Sequence, residues 1–153
     1  MAPDWVAPGD IAADPLSDLC TNGHQLSFYE IDDSMSNLDL VVAAHAATRD
    51  TFSNFDYVLL ERQIVEKDFV IQPSPGTTPS DTANSFHLNF SRMTGKGVAK
   101  LAWLMKEHGR IERIQEPSVR SLVLVAVKAG NVILDRMKPG FAEKVRTLLG
   151  DAS

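Results

Sequence analysis

The chain has 153 residues, 44% of them apolar, and carries 15 Lys and Arg against 20 Asp and Glu for a formal net charge of −5. That length holds one proper hydrophobic core and is short for two independent domains. A lone cysteine, Cys20, excludes an internal disulfide. The acidic, proline-containing N-terminus lacks the order of a signal peptide, and no stretch approaches the roughly 18 apolar residues of a membrane span, so an intracellular place, cytoplasm or nucleus, is expected.

Residues 1–23 contain Pro3, Pro8, Pro15, Gly9 and Gly23 without a clean period and read as an irregular arm; residues 24–153 read as a single α/β domain. The run LSFYEI (26–31) is aromatic-rich and predicts a strand that stops at Asp32-Asp33-Ser34. From Ser36 or Asn37, both good N-caps, LDLVVAAHAATRD predicts a helix, although Val41 and Val42 also fit a short strand. YVLL (57–60) is a continuous apolar run entering Glu61-Arg62-Gln63, as a strand buried on both faces would. Residues 72–85 (QPSPGTTPSDTANS) read as a mobile loop.

Thr94 is placed to cap a helix whose apolar positions Val98, Leu101, Ala102, Leu104 and Met105 keep helical spacing, with Gly109 as its terminator. Residues 111–114 predict a strand running to Glu116-Pro117-Ser118. Residues 122–127 and 132–134 fit a hairpin turning at Ala129-Gly130-Asn131, and the same residues also fit a helix. After Pro139-Gly140, the apolar Phe141, Val145, Leu148 and Leu149 predict a last amphipathic helix.

The net charge conceals two unlike halves. Residues 1–90 hold 14 acidic residues against three basic, a balance of −11, whereas residues 91–153 hold 12 basic against six acidic, a balance of +6. A basic half suits a polyanion such as nucleic acid, although Lys and Arg are also ordinary on a solvated helix face. Four scattered histidines and one cysteine lack zinc spacing, no G-x-S-x-G elbow presents a serine nucleophile, and Gly95-Lys96-Gly97 lacks the rest of a phosphate loop. Asp32 and Glu61 each follow an apolar strand, the edge where open α/β sheets hold ligands. On neighbouring strands the two carboxylates would make an oxygen-rich site for Mg²⁺; acids in such places are also commonly loop residues or helix caps.

Ile31-Asp32-Asp33-Ser34-Met35-Ser36-Asn37-Leu38 resembles the I-D-x-G-x-x-N-L segment of the RuvC-like Holliday junction resolvases of poxviruses, large DNA viruses and mitochondria. Leu59-Leu60-Glu61-Arg62-Gln63 is similar to that family's second acidic segment. Asn89 to Met93 with the helix to Gly109, and then RIERIQEPSVRS (110–121), resemble its asparagine-methionine helix and its V-x-P-S-x-[RK] turn. The matches cover roughly residues 26–121 in the family's order.

The resemblance implies an RNase H-like (RuvC-like) fold, a mixed sheet flanked by helices. It also implies an endonuclease that cleaves branched DNA with Mg²⁺ or Mn²⁺, in which Asp32 and Glu61 hold metal. Lys96, Lys100 and Arg120 would face the DNA backbone, and symmetric cutting of two strands implies a homodimer, with the apolar parts of 122–134 as its contact. Ser34 stands where the family has glycine. The family's closing acidic pair has no match after Ser121, which leaves Asp135 and Asp151 as lone candidates for a third carboxylate. The alternative is a non-catalytic acidic module, an inhibitor or adaptor, whose first half docks a basic partner.

Overall fold

The computed structural model describes residues 26–150, together with the backbone of two short strands in the N-terminal arm, β1 (Val6–Ala7) and β2 (Asp10–Ile11), which pair antiparallel. The expectation of an irregular arm otherwise lies outside the described residues. There follow β3 (Leu26–Tyr29), α1 (Leu38–Ala46), β4 (Phe55–Leu59), α2 (Arg62–Val65), β5 (Ile71–Pro73), α3 (Asp81–Asn84), β6 (His87–Phe90), α4 (Gly95–His108), β7 (Arg110–Ile114), α5 (Glu116–Lys128), a 3-10 turn (Leu134–Arg136) and α6 (Pro139–Gly150). The class is α/β. The strands form separate ladders: a three-stranded sheet in the order β3-β6-β5, with β5 and β6 antiparallel, and a two-stranded ladder of β4 with β7. The chain divides into two compact units, the first made of residues 1–28, 56–74 and 88–112, the second of residues 29–55, 75–87 and 113–153.

The first unit is built on aromatic and long aliphatic side chains. β6 is the middle strand, and Leu88, Asn89 and Phe90 are buried on it. A buried polar group needs a partner, and the Asn89 side-chain oxygen accepts from the Ser27 hydroxyl at 3.1 Å. β5 ends in Pro73, which an edge strand tolerates because the missing N–H would not have faced a ladder partner. Phe28 stacks on Phe90 with ring centroids 4.1 Å apart, and Phe69 adds its ring at 5.3 Å. Onto these α4 lays Val98, Leu101 and Leu104, beside Val65 and Met93. Their 3–4 spacing is the apolar stripe legible in the sequence. Leu101 is 1% exposed, and its burial is worth roughly 1.5–3 kcal/mol.

Both predicted ends of α4 hold. The Thr94 hydroxyl accepts from the Gly97 N–H at 3.2 Å, satisfying one donor that the first turn leaves orphaned. Gly109 ends the helix where a Cβ would fall 2.3 Å from the Met105 carbonyl oxygen and 2.7 Å from Val58 Cγ1, so only glycine fits.

The second unit is built on small side chains and helices. α1 buries Val41, Val42, Ala43, Ala44 and Ala46, leaving little polar face, which is the pattern of a helix enclosed by its neighbours. It packs chiefly against α5, whose inward positions are Val119, Val123 and Ala126. α6 contributes Phe141, Ala142 and Val145, and Phe141 meets Phe52 edge-on at 4.7 Å.

The predicted hairpin over 122–134 is overturned, and the helical alternative holds. Alternating valines imitate a strand, but 119, 123 and 126 recur at helical spacing and decide the outcome through tertiary burial. The turn at Gly130 is real, with φ +74°, and serves as the helix terminus. There the N–H groups of Asn131 and Val132 both donate to the Ala126 carbonyl. Glu116-Pro117-Ser118 is correspondingly the first turn of α5 rather than a strand end, with proline where its missing N–H costs nothing.

The predicted mobile loop over 72–85 is also corrected. It holds β5 and α3, and Thr78, Pro79 and Ser80 are buried. The Thr78 hydroxyl donates to Asn84 Oδ1 at 2.7 Å, Asn84 Nδ2 donates back to the Thr78 carbonyl at 3.0 Å, and Ser80 caps α3 by accepting from the Ala83 N–H. Arg136 also donates to the Thr78 carbonyl at 2.8 Å. Composition reports polar turn residues, and here Thr78, Ser80 and Asn84 find partners within the segment while Gln72, Thr77, Asp81, Thr82 and Ser85 stay exposed. Among the described residues, no helix is long and apolar enough to cross a membrane.

Candidate functional site

Asp32 lies in the second unit, in the turn between β3 and α1. Its carboxylate accepts from the Ser34 hydroxyl at 2.8 Å, from the Ser36 N–H at 2.8 Å, and from the Ser36 hydroxyl. These bonds, the Ser36 hydroxyl first, hold the carboxyl below the ordinary aspartate value. The Asp32 N–H donates to Asn37 Oδ1 at 3.1 Å, while Asn37 Nδ2 donates to the Glu30 carbonyl at 2.9 Å. Asn37 is therefore the N-cap of α1 by position, yet its amide ties the turn backwards and makes no capping bond. Met35 takes φ +60°, the left-handed conformation that closes this tight turn. Asp32 thus does what short acidic side chains do in turns: it satisfies nearby donors.

Glu61 belongs to the first unit and is the exposed N-cap of the one-turn α2. The strands preceding the two acids do not neighbour each other as expected, since β3 pairs with β6 and β4 with β7. Asp135 is held by Arg146 at 3.1 Å, and Arg146 reaches Glu143 at 3.4 Å. Asp151 lies outside the described residues. Among the described residues no group of three or more His, Cys, Asp or Glu side chains could hold a metal ion.

The basic candidates separate into engaged and available groups. Arg120, in the second unit, pairs with Glu116 one turn away and lies over the Phe52 ring, 5.5 Å from its centroid. Lys96 and Lys100 sit on α4 in the first unit. Lys100 has a loose 3.5 Å pair with Asp68, which exchanges easily with water or another anion because both groups are well exposed. Lys96 is exposed and makes no ion pair among the described residues, and neither does the exposed Arg92 just before the helix.

The sequence reading missed Trp103. Its signal is a spacing: Lys96, Lys100 and Trp103 stand at i, i+4 and i+7, one face of a helix. Trp103 is 41% exposed, with the Lys106 ammonium 4.9 Å from its ring centroid. The face can therefore offer phosphate-binding ammonium groups beside an aromatic surface.

A second missed cluster lies in the second unit. Tyr29 meets His45 at 5.7 Å and His87 at 5.2 Å, both edge-on, and His45 meets Phe55 at 5.9 Å. Burial raises the Tyr29 phenol above its ordinary value. It lowers His45, although part of that residue meets solvent, and Arg49 adds in the same direction.

No family model matches the chain, and neither the curated proteins nor the solved structures contain a match to it.

Proposed function

We propose that the chain is a nucleic-acid-binding protein whose contact surface is the exposed face of α4. The observation that supports it is the placement of Lys96 and Lys100 one helical turn apart, with Arg92 just before the helix and no acidic residue in its first turn. Ammonium groups so placed neutralise phosphates and release counterions, the source of most sequence-independent affinity. The order of the resolvase-like segments adds branched DNA as the substrate class and a homodimer as the working form, with Val125 and Ile133, at 65% and 40% exposure, as side chains that pairing would cover. Cleavage with Mg²⁺ rests on that order alone. The turn bonds of Asp32 and the separate ladders of β3 and β4 favour binding without cutting.

The test is fluorescence anisotropy of a labelled four-way junction, a duplex and a single strand at low salt, with a cleavage assay in Mg²⁺ and in Mn²⁺ beside Asp32→Asn and Glu61→Gln. Binding without cutting is the expected result. Symmetric nicks lost in both variants would restore the endonuclease reading. Failure to bind any of the three nucleic acids would overturn the proposal and favour an acidic module that docks a basic partner.

A further inference from the structure

The helix that carries Lys96 and Lys100 also breaks the rule that a large aromatic turns inward. α4 buries Val98, Leu101, Ala102 and Leu104, so the opposite side should be polar. At 3.6 residues per turn, Lys96, Lys100, Trp103 and Glu107 fall within a sector of roughly 60°, with the indole along one edge of it. Among the described residues no aromatic ring packs on Trp103; what lies over it is a cation, the Lys106 ammonium. A face with a partly exposed indole and lysines on the helix N-terminal side suits a chain of phosphates that also offers a flat aromatic surface, which would displace the Lys106 ammonium from the ring.

We infer that Trp103 is a stacking platform for an unpaired base, so that the α4 face selects single-stranded DNA, or the exposed bases of a branch point, over continuous duplex. The inference rests on the nucleic-acid reading above and narrows its substrate. In a duplex each base covers its neighbour, and only phosphates reach this face. In a single strand a base can lie on the indole while the flanking phosphates meet Lys100 and Lys96. Glu107, nearer the C-terminal end of the helix on the same face, repels phosphate.

The chain has one other tryptophan, Trp5. In a Trp5→Phe protein all indole fluorescence therefore comes from Trp103, and titration with an oligothymidine of about 16 nucleotides should quench it. Trp103→Ala should weaken single-strand binding about 5- to 100-fold and leave duplex binding unchanged, whereas Trp103→Phe should retain most of the single-strand affinity. Thermal melting of each variant shows that it is folded, and the Phe variant with the quenching titration keeps the test valid if the Ala variant is not. If anisotropy reports binding but the fluorescence of Trp103 does not change, or if Trp103→Ala binds single strands as the parent does, the stacking platform is wrong and the phosphate reading stands. If no DNA binds the parent chain, both are wrong.

Discussion

The two units solve the problem of burial differently, and they leave different things on their surfaces. The first packs phenylalanines and leucines around β6 and α4, with Phe90 between Phe28 and Phe69. The second brings α1 and α5 together through valine and alanine and fixes its polar periphery with ion pairs: Arg136 to Asp81, Lys138 to Asp50 at 2.8 Å, and Arg146 to Asp135 at 3.1 Å. Exposed pairs of that kind add little stability each. Arg92 and Lys96 in the first unit make no ion pair among the described residues, and neither do the exposed Lys128 and Lys144 in the second. The lesson is that a count of basic residues does not by itself locate a binding face; the proposal for α4 rests on Lys96 and Lys100 sharing one helical face with Trp103.

The largest effects should come from the two cores. Phe90→Ala and Phe141→Ala each remove a buried ring and should cost about 3–5 kcal/mol in urea denaturation. Hydrogen exchange should show each variant losing protection first in its own unit. Uniform loss in both variants would erase the distinction between the cores.

Ala44→Leu comes next. Ala44 is fully buried in α1, and the added side chain should cost about 1–3 kcal/mol, whereas the volume-conserving Leu104→Met in the first unit should cost under about 1.5. Equal tolerance would mean that small residues are not what joins α1 to its neighbours. Ser80→Ala, which removes the α3 cap, should lower stability by about 1 kcal/mol, read as a shift in denaturation midpoint.

The smallest effect is a pH dependence in the second unit. Burial, with the charges of Arg49 and His87, holds His45 below the ordinary histidine value. Below about pH 6.5 the unfolded chain therefore binds a proton there that the folded chain resists, so stability is lost as the pH falls through that value. Melting temperature followed from neutral to mildly acid pH should fall, and His45→Gln should flatten the curve.

How much of this was legible in the sequence varies by element. α4 was readable at both ends because its cap, stripe and terminator are local: Thr94, the 98–101–104 spacing and Gly109 need no distant partner. α5 was ambiguous because Val123, Val125 and Val127 favour a strand locally, and the burial of Val119, Val123 and Ala126, which is not local, decided for helix. The 72–85 segment was misread because composition cannot tell a polar side chain facing water from one facing Asn84 or Arg136. Asp32 and Glu61 were singled out by position after apolar runs. Whether the strands preceding them are neighbours is a property of ladder order, and no short-range pattern carries it. Trp103 could have been found, since its spacing from Lys96 and Lys100 is plain once α4 is accepted.

The most direct test of the central claim, that α4 carries the nucleic-acid face, is the salt dependence of single-strand binding for the parent chain and for the double variant Lys96→Gln, Lys100→Gln. Each lysine that meets a phosphate contributes about 0.7 to the slope of log K against log salt on a single strand, so the double variant should lose about 1.4 and bind weakly at every salt concentration. An unchanged slope and affinity in a folded double variant would contradict the account and move the interface away from α4.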